Sequence, residues 1–154
     1  MKNLLIIILL SFLAFSCKED LPQGHQSDTI KFSTKKLTLT AQGGEAFVTS
    51  KGDGWWILKY LMIDGDEYYL HRGEPLVDVE EYYLQRADKF TIEVDPSSEY
   101  DILLIEGLWI KIVKEDKKLT FFAEKNETGK ERVLSVPITS GNLFAYVSLI
   151  QKAE

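Results

Sequence analysis

Cysteine and histidine are scarce in this 154-residue chain, which contains one cysteine and two histidines. A single cysteine cannot form a disulfide within the chain. Transition-metal sites draw most of their ligands from these two residue types, so we expect no metal and no cofactor. Hydrophobic residues make up 45% and charged residues 27% of the chain, a balance that excludes wholesale disorder.

Positive charge is also in short supply. Lys and Arg number 18 against 24 Asp and Glu, which gives a formal net charge of −6. Binding to nucleic acid relies on a basic face that neutralises phosphates. This composition therefore argues against a nucleic-acid partner.

The sequence patterns typical of catalysis are missing as well. There is no nucleophile-elbow serine motif and no glycine-rich phosphate loop. Only His25 and His71 could serve as a histidine base, and His25 lies in a polar segment that contains Pro and Gly. A retaining glycosidase needs two carboxylates about 5 Å apart, and the sequence does not place any such pair. We predict no catalytic residues and no enzyme.

No apolar run is long enough to span a bilayer. The chain is apolar from 4 to 15 except for Ser11, about a dozen residues where a spanning helix needs roughly 20, and this length is typical of a signal peptide. Leu13-Ala14-Phe15-Ser16-Cys17 resembles the lipobox of bacterial lipoproteins. The resemblance implies removal of residues 1–16 and a lipid on Cys17 that anchors the chain to a membrane. The alternative is an ordinary signal peptide with an incidental cysteine.

Residues 17–29 are predicted to form the lipidated N-terminus and a flexible tether, because they are polar, lack a period and contain Pro22 and Gly24. Lys18-Glu19-Asp20 resembles the export tag of Bacteroidetes lipoproteins, which implies display on the outer face of the outer membrane. A solvated tether with random charges is the alternative. Asp28-Thr29-Ile30 resembles the O-glycosylation motif of the same bacteria, which makes Thr29 a candidate acceptor.

From Ile30 onward apolar and polar residues alternate with period two, and turn residues separate the runs, a pattern typical of strands. Strands spaced about ten residues apart, without a long helical period, predict an all-β fold of the sandwich type. Pro137 cannot donate a ladder hydrogen bond, so its strand is expected at a sheet edge or with a bulge. The predicted strands are 36–40, 45–49, 55–57, 108–113, 119–123, 132–138 and 143–150.

Several of these stretches resemble the BACON domain, an immunoglobulin-like β-sandwich of Bacteroidetes surface and secreted proteins. The resemblance rests on Leu37-x-Leu39, Gly43-Gly44, Gly54-Trp55, Trp109, Asn126-x-x-Gly129-x-x-Arg132, Ile138, Ser140-Gly141-Asn142 and Ile150-Gln151-Lys152-Ala153. It implies an immunoglobulin-like sandwich over residues 30–154, and the family's name presumes carbohydrate binding.

Residues 58–104 depart from that pattern as an insertion in the middle of the domain, and loops on a rigid sandwich commonly carry binding. Within it, Ile63 to Tyr69 predict a hairpin around Asp64-Gly65. The acids of Asp64-Gly65-Asp66-Glu67 also suggest calcium, but the other ligands of a calcium loop are missing, which favours a solvated turn. The conformation of the rest of the insertion is left open between helix and strand.

Aromatic residues give the remaining indication of function, because Trp and Tyr rings stack on the apolar faces of sugars. Successive strand residues point to opposite faces, so one of Trp55 and Trp56 should enter the core, and Trp109 should be buried. The candidate ligand-binding residues are Trp55, Tyr68, Tyr69, Tyr82 and Tyr83. The predicted function is a surface-exposed, non-catalytic module for a glycan or host glycoprotein. The alternative is an accessory protein that docks onto a larger outer-membrane complex.

Overall fold

The computed structural model describes residues 30–52, 54–70, 89–98 and 101–154. Within these ranges the chain forms eleven strands and no helix, and therefore no helix that could cross a membrane. The strands are β1 Lys36–Leu39, β2 Gly44–Thr49, β3 Trp56–Ile57, β4 Tyr60–Ile63, β5 Asp66–Tyr69, β6 Phe90–Val94, β7 Ile102–Gly107, β8 Ile110–Glu115, β9 Lys118–Ala123, β10 Arg132–Ser140 and β11 Leu143–Gln151. Cys17, His25, Thr29, His71, Tyr82 and Tyr83 lie outside the described residues.

Two sheets pack against each other, so the predicted all-β sandwich is confirmed. The first sheet has the order β1-β11-β10-β4-β5, and β3 also pairs with β10. Strand β1 runs parallel to β11, while the other described pairs are antiparallel. The second sheet has the order β2-β9-β8-β7-β6 and is antiparallel throughout. The described residues of 58–104 belong to both sheets, as β4 and β5 of the first and as β6 and the start of β7 of the second.

The core lies between the sheets and follows the alternation of the sequence. Fully buried residues such as Phe121, Ile112 and Leu134 come from the inward faces of β9, β8 and β10. Burying side chains of this size stabilises the fold by about 1.5–3 kcal/mol each. Trp109 is buried as predicted, and the guanidinium of Arg132 lies 4.6 Å from the centre of its ring.

The predicted hairpin around Asp64-Gly65 is present as the β4–β5 connection. Asp64 and Gly65 both have positive φ, at 52° and 91°, as a two-residue type I′ turn requires. The Asp64 carboxylate accepts a hydrogen bond of 2.7 Å from the Val133 amide, and the Asp64 amide donates to the Val133 carbonyl at 2.8 Å. Asp64 thus ties the hairpin to β10, and its carboxylate has a structural role.

Pro137 does not lie on an edge strand, so that part of the expectation was wrong. Strand β10 pairs with β11 along its whole length and with β3 and β4 on its other side. Ile138 of β10 pairs with Ile57, and Ser135 pairs with Met62. The segment that faces β10 therefore advances by five residues while β10 advances by three. The irregularity therefore lies opposite Pro137, where the partner strand is interrupted and no donor from the proline is needed.

Asn126 is fully buried and organises the chain reversal between β9 and β10. Its Nδ2 donates to the carbonyls of Lys130 at 2.7 Å and Lys152 at 3.0 Å. Its Oδ1 accepts from the amide and hydroxyl of Thr128, at 3.1 and 2.7 Å. Asn126 therefore satisfies polar groups of two chain segments at once, which is a structural use of its amide.

Gln151 and Gly43 stabilise the end of the sandwich at which Asn126 lies. The Gln151 side chain is fully buried, and its Nε2 donates to the carbonyls of Glu124 at 2.7 Å and Ala41 at 3.3 Å. Gly43 has φ 76°, and a Cβ placed on it would lie 2.2 Å from the carbonyl oxygen of Ala123. Only glycine fits there, because both the backbone conformation and the close approach exclude a side chain.

We predict that Gly43→Ala destabilises the protein by roughly 3 kcal/mol or more, since it adds a backbone clash to a left-handed conformation. Gly141→Ala is the matched control, because Gly141 has φ 59° but no atom within 4 Å of an added Cβ. The control should lose only the ~1 kcal/mol of the left-handed conformation. Urea unfolding of both variants measures the difference, and equal losses would contradict the close approach at Gly43.

Candidate functional site

A cleft of about 490 Å³ lies at one end of the sandwich, where the start of β3, the β6–β7 connection and the β8–β9 turn meet. We call it the end cleft. Its volume is in the range of sites for small ligands. Its lining residues are Gly54, Trp55, Trp56, Asp95, Ser98, Asp101, Leu103, Lys114 and Asp116.

Lys114 is an inward-facing charge at the base of this cleft. The alternation of β8 places it on the same face as the core residues Ile110 and Ile112, and Lys114 is only 9% exposed. Its ammonium group donates to both carboxylate oxygens of Asp101, at 2.6 and 2.7 Å. A buried ammonium needs such a partner, because its desolvation is otherwise costly. The signal in the sequence was a lysine in the inward phase of a strand.

The two adjacent tryptophans divide between core and surface, as predicted. Trp55 is 3% exposed; Phe32 packs edge-on against its ring at 5.5 Å, and the Lys114 ammonium lies 4.9 Å from the ring centre. Trp55 therefore lines the cleft but has no free ring face on which a sugar could stack. Trp56 is partly exposed and also lines the cleft, which makes it the accessible ring.

Asp95 organises the described residues between β6 and β7. Its Oδ1 accepts hydrogen bonds from the amide and the hydroxyl of Ser97, at 2.7 and 2.5 Å. These bonds, more than the positive charge of nearby Lys114, hold the pKa of the Asp95 carboxyl below its usual value. The backbone of Asp95 also exchanges hydrogen bonds with Asp101 and Ser98. The carboxylate is therefore ionised and fixed at the rim of the cleft.

The outer surface of the first sheet carries a second feature, which we call the aromatic face: Tyr60, Tyr69, Phe144 and Tyr146. Phe144 is 69% exposed, Tyr146 48% and Tyr69 39%. The rings of Tyr60 and Tyr69 lie 6.0 Å apart, and the hydroxyls of Tyr60 and Tyr146 are 3.4 Å apart. That hydrogen bond, followed by partial burial, raises the pKa of Tyr60 to about 12. The aromatic face is thus a set of exposed rings, in which Tyr60 contacts Tyr69 and Tyr146, and the Tyr69 hydroxyl donates to the Glu67 carboxylate at 3.0 Å.

The predicted site residues separate in the structure. Tyr68 packs against Phe90 at 5.7 Å beside the core, whereas Tyr69 points outward. Trp55 is at the end cleft, so it is not brought together with Tyr69 on one surface. Tyr82 and Tyr83 lie outside the described residues. Residues that were not among the predicted site residues complete both surfaces. They are Trp56, Asp101, Lys114 and Asp116 in the cleft, and Tyr60, Phe144 and Tyr146 on the aromatic face.

No group of three or more His, Cys, Asp and Glu side chains is placed to hold a metal ion within the described parts of the chain. The three aspartates of the cleft do not form such a group. The cleft instead combines aromatic rings, carboxylates and a neutralised lysine, which is suited to a polar organic ligand.

We predict that Asp101→Ala destabilises the protein by roughly 2–3 kcal/mol, because it leaves the buried Lys114 ammonium without its partner. Glu106→Ala is the matched control, since Glu106 pairs with Lys111 at 3.6 Å and both side chains are largely exposed. An exposed pair of this kind contributes about 1 kcal/mol or less. Denaturant unfolding compares the two, and a loss for Asp101→Ala no larger than the control's would contradict the buried pair.

The comparisons with known proteins concern the fold. No protein-family model matches the chain, and no curated protein matches it. An NMR structure of a protein from Bacteroides thetaiotaomicron is similar, with a TM-score of 0.57 and 20% identity over 86% of this chain and 93% of that chain. A GH5 xyloglucanase of Bacteroides ovatus, solved with a XXXG heptasaccharide, aligns at a TM-score of 0.41 and 12% identity over 82% of this chain and 19% of that chain. The first similarity shows a shared fold, and the second is too weak to indicate anything further.

Proposed function

We propose that this chain is a non-catalytic binding module, displayed at the bacterial surface by a lipid on Cys17, that binds a glycan in the end cleft. The observation that carries the proposal is the partly exposed ring of Trp56 beside the carboxylates of Asp95 and Asp116. An aromatic ring offers an apolar face to the C–H groups of a pyranose. Carboxylates accept hydrogen bonds from its hydroxyls.

The chemistry of the cleft supports binding more than hydrolysis. A glycosidase needs one carboxyl group that stays protonated near neutral pH, so its pKa must be raised. Asp95 has the opposite property, because its bonds with Ser97 lower its pKa. Asp101 is held by both oxygens to Lys114. We therefore retain the assignment as a binding protein rather than an enzyme.

The proposal of surface display rests on the leader and the segment after it. Acyl chains contribute about 0.8 kcal/mol per buried CH₂ to membrane binding, so a multiply acylated Cys17 would hold the chain at the outer membrane. The tag-like Lys18-Glu19-Asp20 supports the outward orientation, and a Bacteroides protein shares the fold. Thr29 remains the proposed glycan acceptor in the tether.

A second candidate function is docking onto a larger outer-membrane protein complex, and the aromatic face favours it. Exposed apolar patches on a sheet mark interaction sites, and Tyr, Phe and Trp are enriched where protein partners meet. Tyr69, Phe144 and Tyr146 provide such exposed rings. The end cleft and the aromatic face thus point to two kinds of partner that mutations can separate.

We predict that residues 29–154 bind selectively on a glycan array and that Trp56→Ala abolishes this binding. Tyr146→Ala is the matched control, because it removes a ring of similar size from the aromatic face. It should leave glycan binding within about twofold of wild type, since it leaves the cleft intact. Tyr82→Ala/Tyr83→Ala tests the two candidates outside the described residues, and circular dichroism confirms that each variant folds.

Loss of binding in Tyr146→Ala with retention in Trp56→Ala would move the glycan site to the aromatic face. Silence across the array from the folded wild-type domain would refute glycan binding. In that case, capture of an outer-membrane partner by wild type but not by Tyr146→Ala would support the docking function.

We predict that Cys17→Ser abolishes incorporation of radiolabelled palmitate and moves the protein from the membrane fraction to the soluble or secreted fraction. The physical reason is that serine lacks the thiol to which the diacylglycerol is attached. Lys18→Ala/Glu19→Ala/Asp20→Ala should keep the label but reduce cleavage by protease added to intact cells. Unchanged labelling of Cys17→Ser would contradict lipidation at this residue.

A further inference from the structure

The end cleft has an unequal set of charges. Asp95, Asp101 and Asp116 line it, and Lys114 is the only cation lining it within the part of the chain that the structure describes. The formal charge of these four groups is therefore three negative against one positive. The described lining of the cleft thus presents an excess of two negative charges to a ligand.

The Lys114 ammonium is not available to a ligand. Lys114 is 9% exposed and donates to both oxygens of Asp101, with its ammonium close to the ring of Trp55. A ligand carboxylate would have to displace Asp101 and leave that aspartate unpaired in a partly buried position. Such an exchange replaces one ion pair with another and adds an unpaired charge, so it is unfavourable.

The other carboxylates keep acceptor capacity. The Ser97 bonds use only Oδ1 of Asp95, so its Oδ2 has no partner among the described residues. Asp116 forms no ion pair with another described residue. An ionised carboxylate accepts hydrogen bonds and donates none. The cleft thus offers unused hydrogen-bond acceptors, which are complementary to a ligand that carries hydrogen-bond donors.

Resting on the proposed glycan function, we propose that the end cleft selects uncharged saccharides and excludes acidic ones. Hydroxyl groups of a neutral sugar donate to Asp95 and Asp116, while its apolar face lies on Trp56. Uronic acids, sialic acids and sulfated sugars bring a further negative charge to Asp95 and Asp116, while the nearby Lys114 ammonium is already engaged by both oxygens of Asp101. Like charges at an interface suppress the wrong partner.

The test uses the full-length protein in detergent and pairs of saccharides that differ at one position. The probes are tetrasaccharides of glucose, galactose and mannose, each neutral or with one C6 carboxylate, titrated by calorimetry at low and high salt. We expect at least one neutral member to bind, at least tenfold more tightly than its acidic counterpart. The difference should shrink in 1 M salt, where the Debye length falls from about 10 Å at 0.1 M to about 3 Å.

In the variant Asp95→Asn/Asp116→Asn, the ratio of the affinities for the neutral and the acidic saccharide should fall to less than threefold. Asn fits both positions, because it can accept the Ser97 bonds and tolerates the φ of 45° at Asp116. The control Glu45→Gln/Glu106→Gln removes the same charge from the outer surface of the second sheet, towards the other end of its strands, and should leave the preference unchanged.

Two outcomes would overturn the inference, and they are distinguishable. Acidic members that bind as tightly as neutral ones, or an equal effect of both double variants, would refute charge selection by the cleft and leave glycan binding standing. A folded wild-type protein that binds none of the probes, and is also silent on the wider array, would refute the glycan function and the selectivity together.

Discussion

The positions of both candidate surfaces depend on the pairing of strand β10 with its neighbours. This strand pairs with β11 along its whole length on one side and holds β3 and β4 on the other. Strand β3 has only two residues, so its position is set by pairing with Ile138 and Thr139. This pairing directs Ile57 into the core and turns Trp56 outward beside the end cleft. The two extra residues opposite Pro137 then bring Tyr60 to the outer surface next to Tyr146.

The end cleft exists because the apolar core does not extend to the ends of the strands that border it. Strand β8 keeps its alternation to its end, but the last inward position is Lys114 instead of an apolar residue. The ammonium group lies over the ring of Trp55 and is neutralised by Asp101, which directly precedes β7. A polar boundary of this kind costs desolvation, which the bidentate pair offsets only in part. In return, the end of the sandwich is not a closed hydrophobic layer and can admit a polar ligand.

The residues that carry the resemblance to the BACON domain have structural roles in this chain. Asn126 satisfies carbonyls of two segments, Gln151 reaches the carbonyls of Ala41 and Glu124, and Gly43 allows a close approach to Ala123. Such residues explain why a sandwich forms and say little about its ligand. The ligand has to be inferred from the cleft and the aromatic face, whose residues lie mostly outside that pattern.

The sequence by itself determined the strands outside residues 58–104, the Asp64-Gly65 hairpin, the burial of Trp109 and the division of Trp55 and Trp56 between core and surface. These features depend on alternation and turn chemistry, which act between residues close in the chain. The sequence left β6 and the start of β7 open between helix and strand. Tertiary structure decided that Pro137 lies in a central strand, that Tyr69 lies beside Tyr60 and Tyr146, and that Lys114 and Asp101 meet at the end cleft. The physical reason is that strand order and register join residues tens of positions apart, and period two alone does not specify which strand becomes the neighbour.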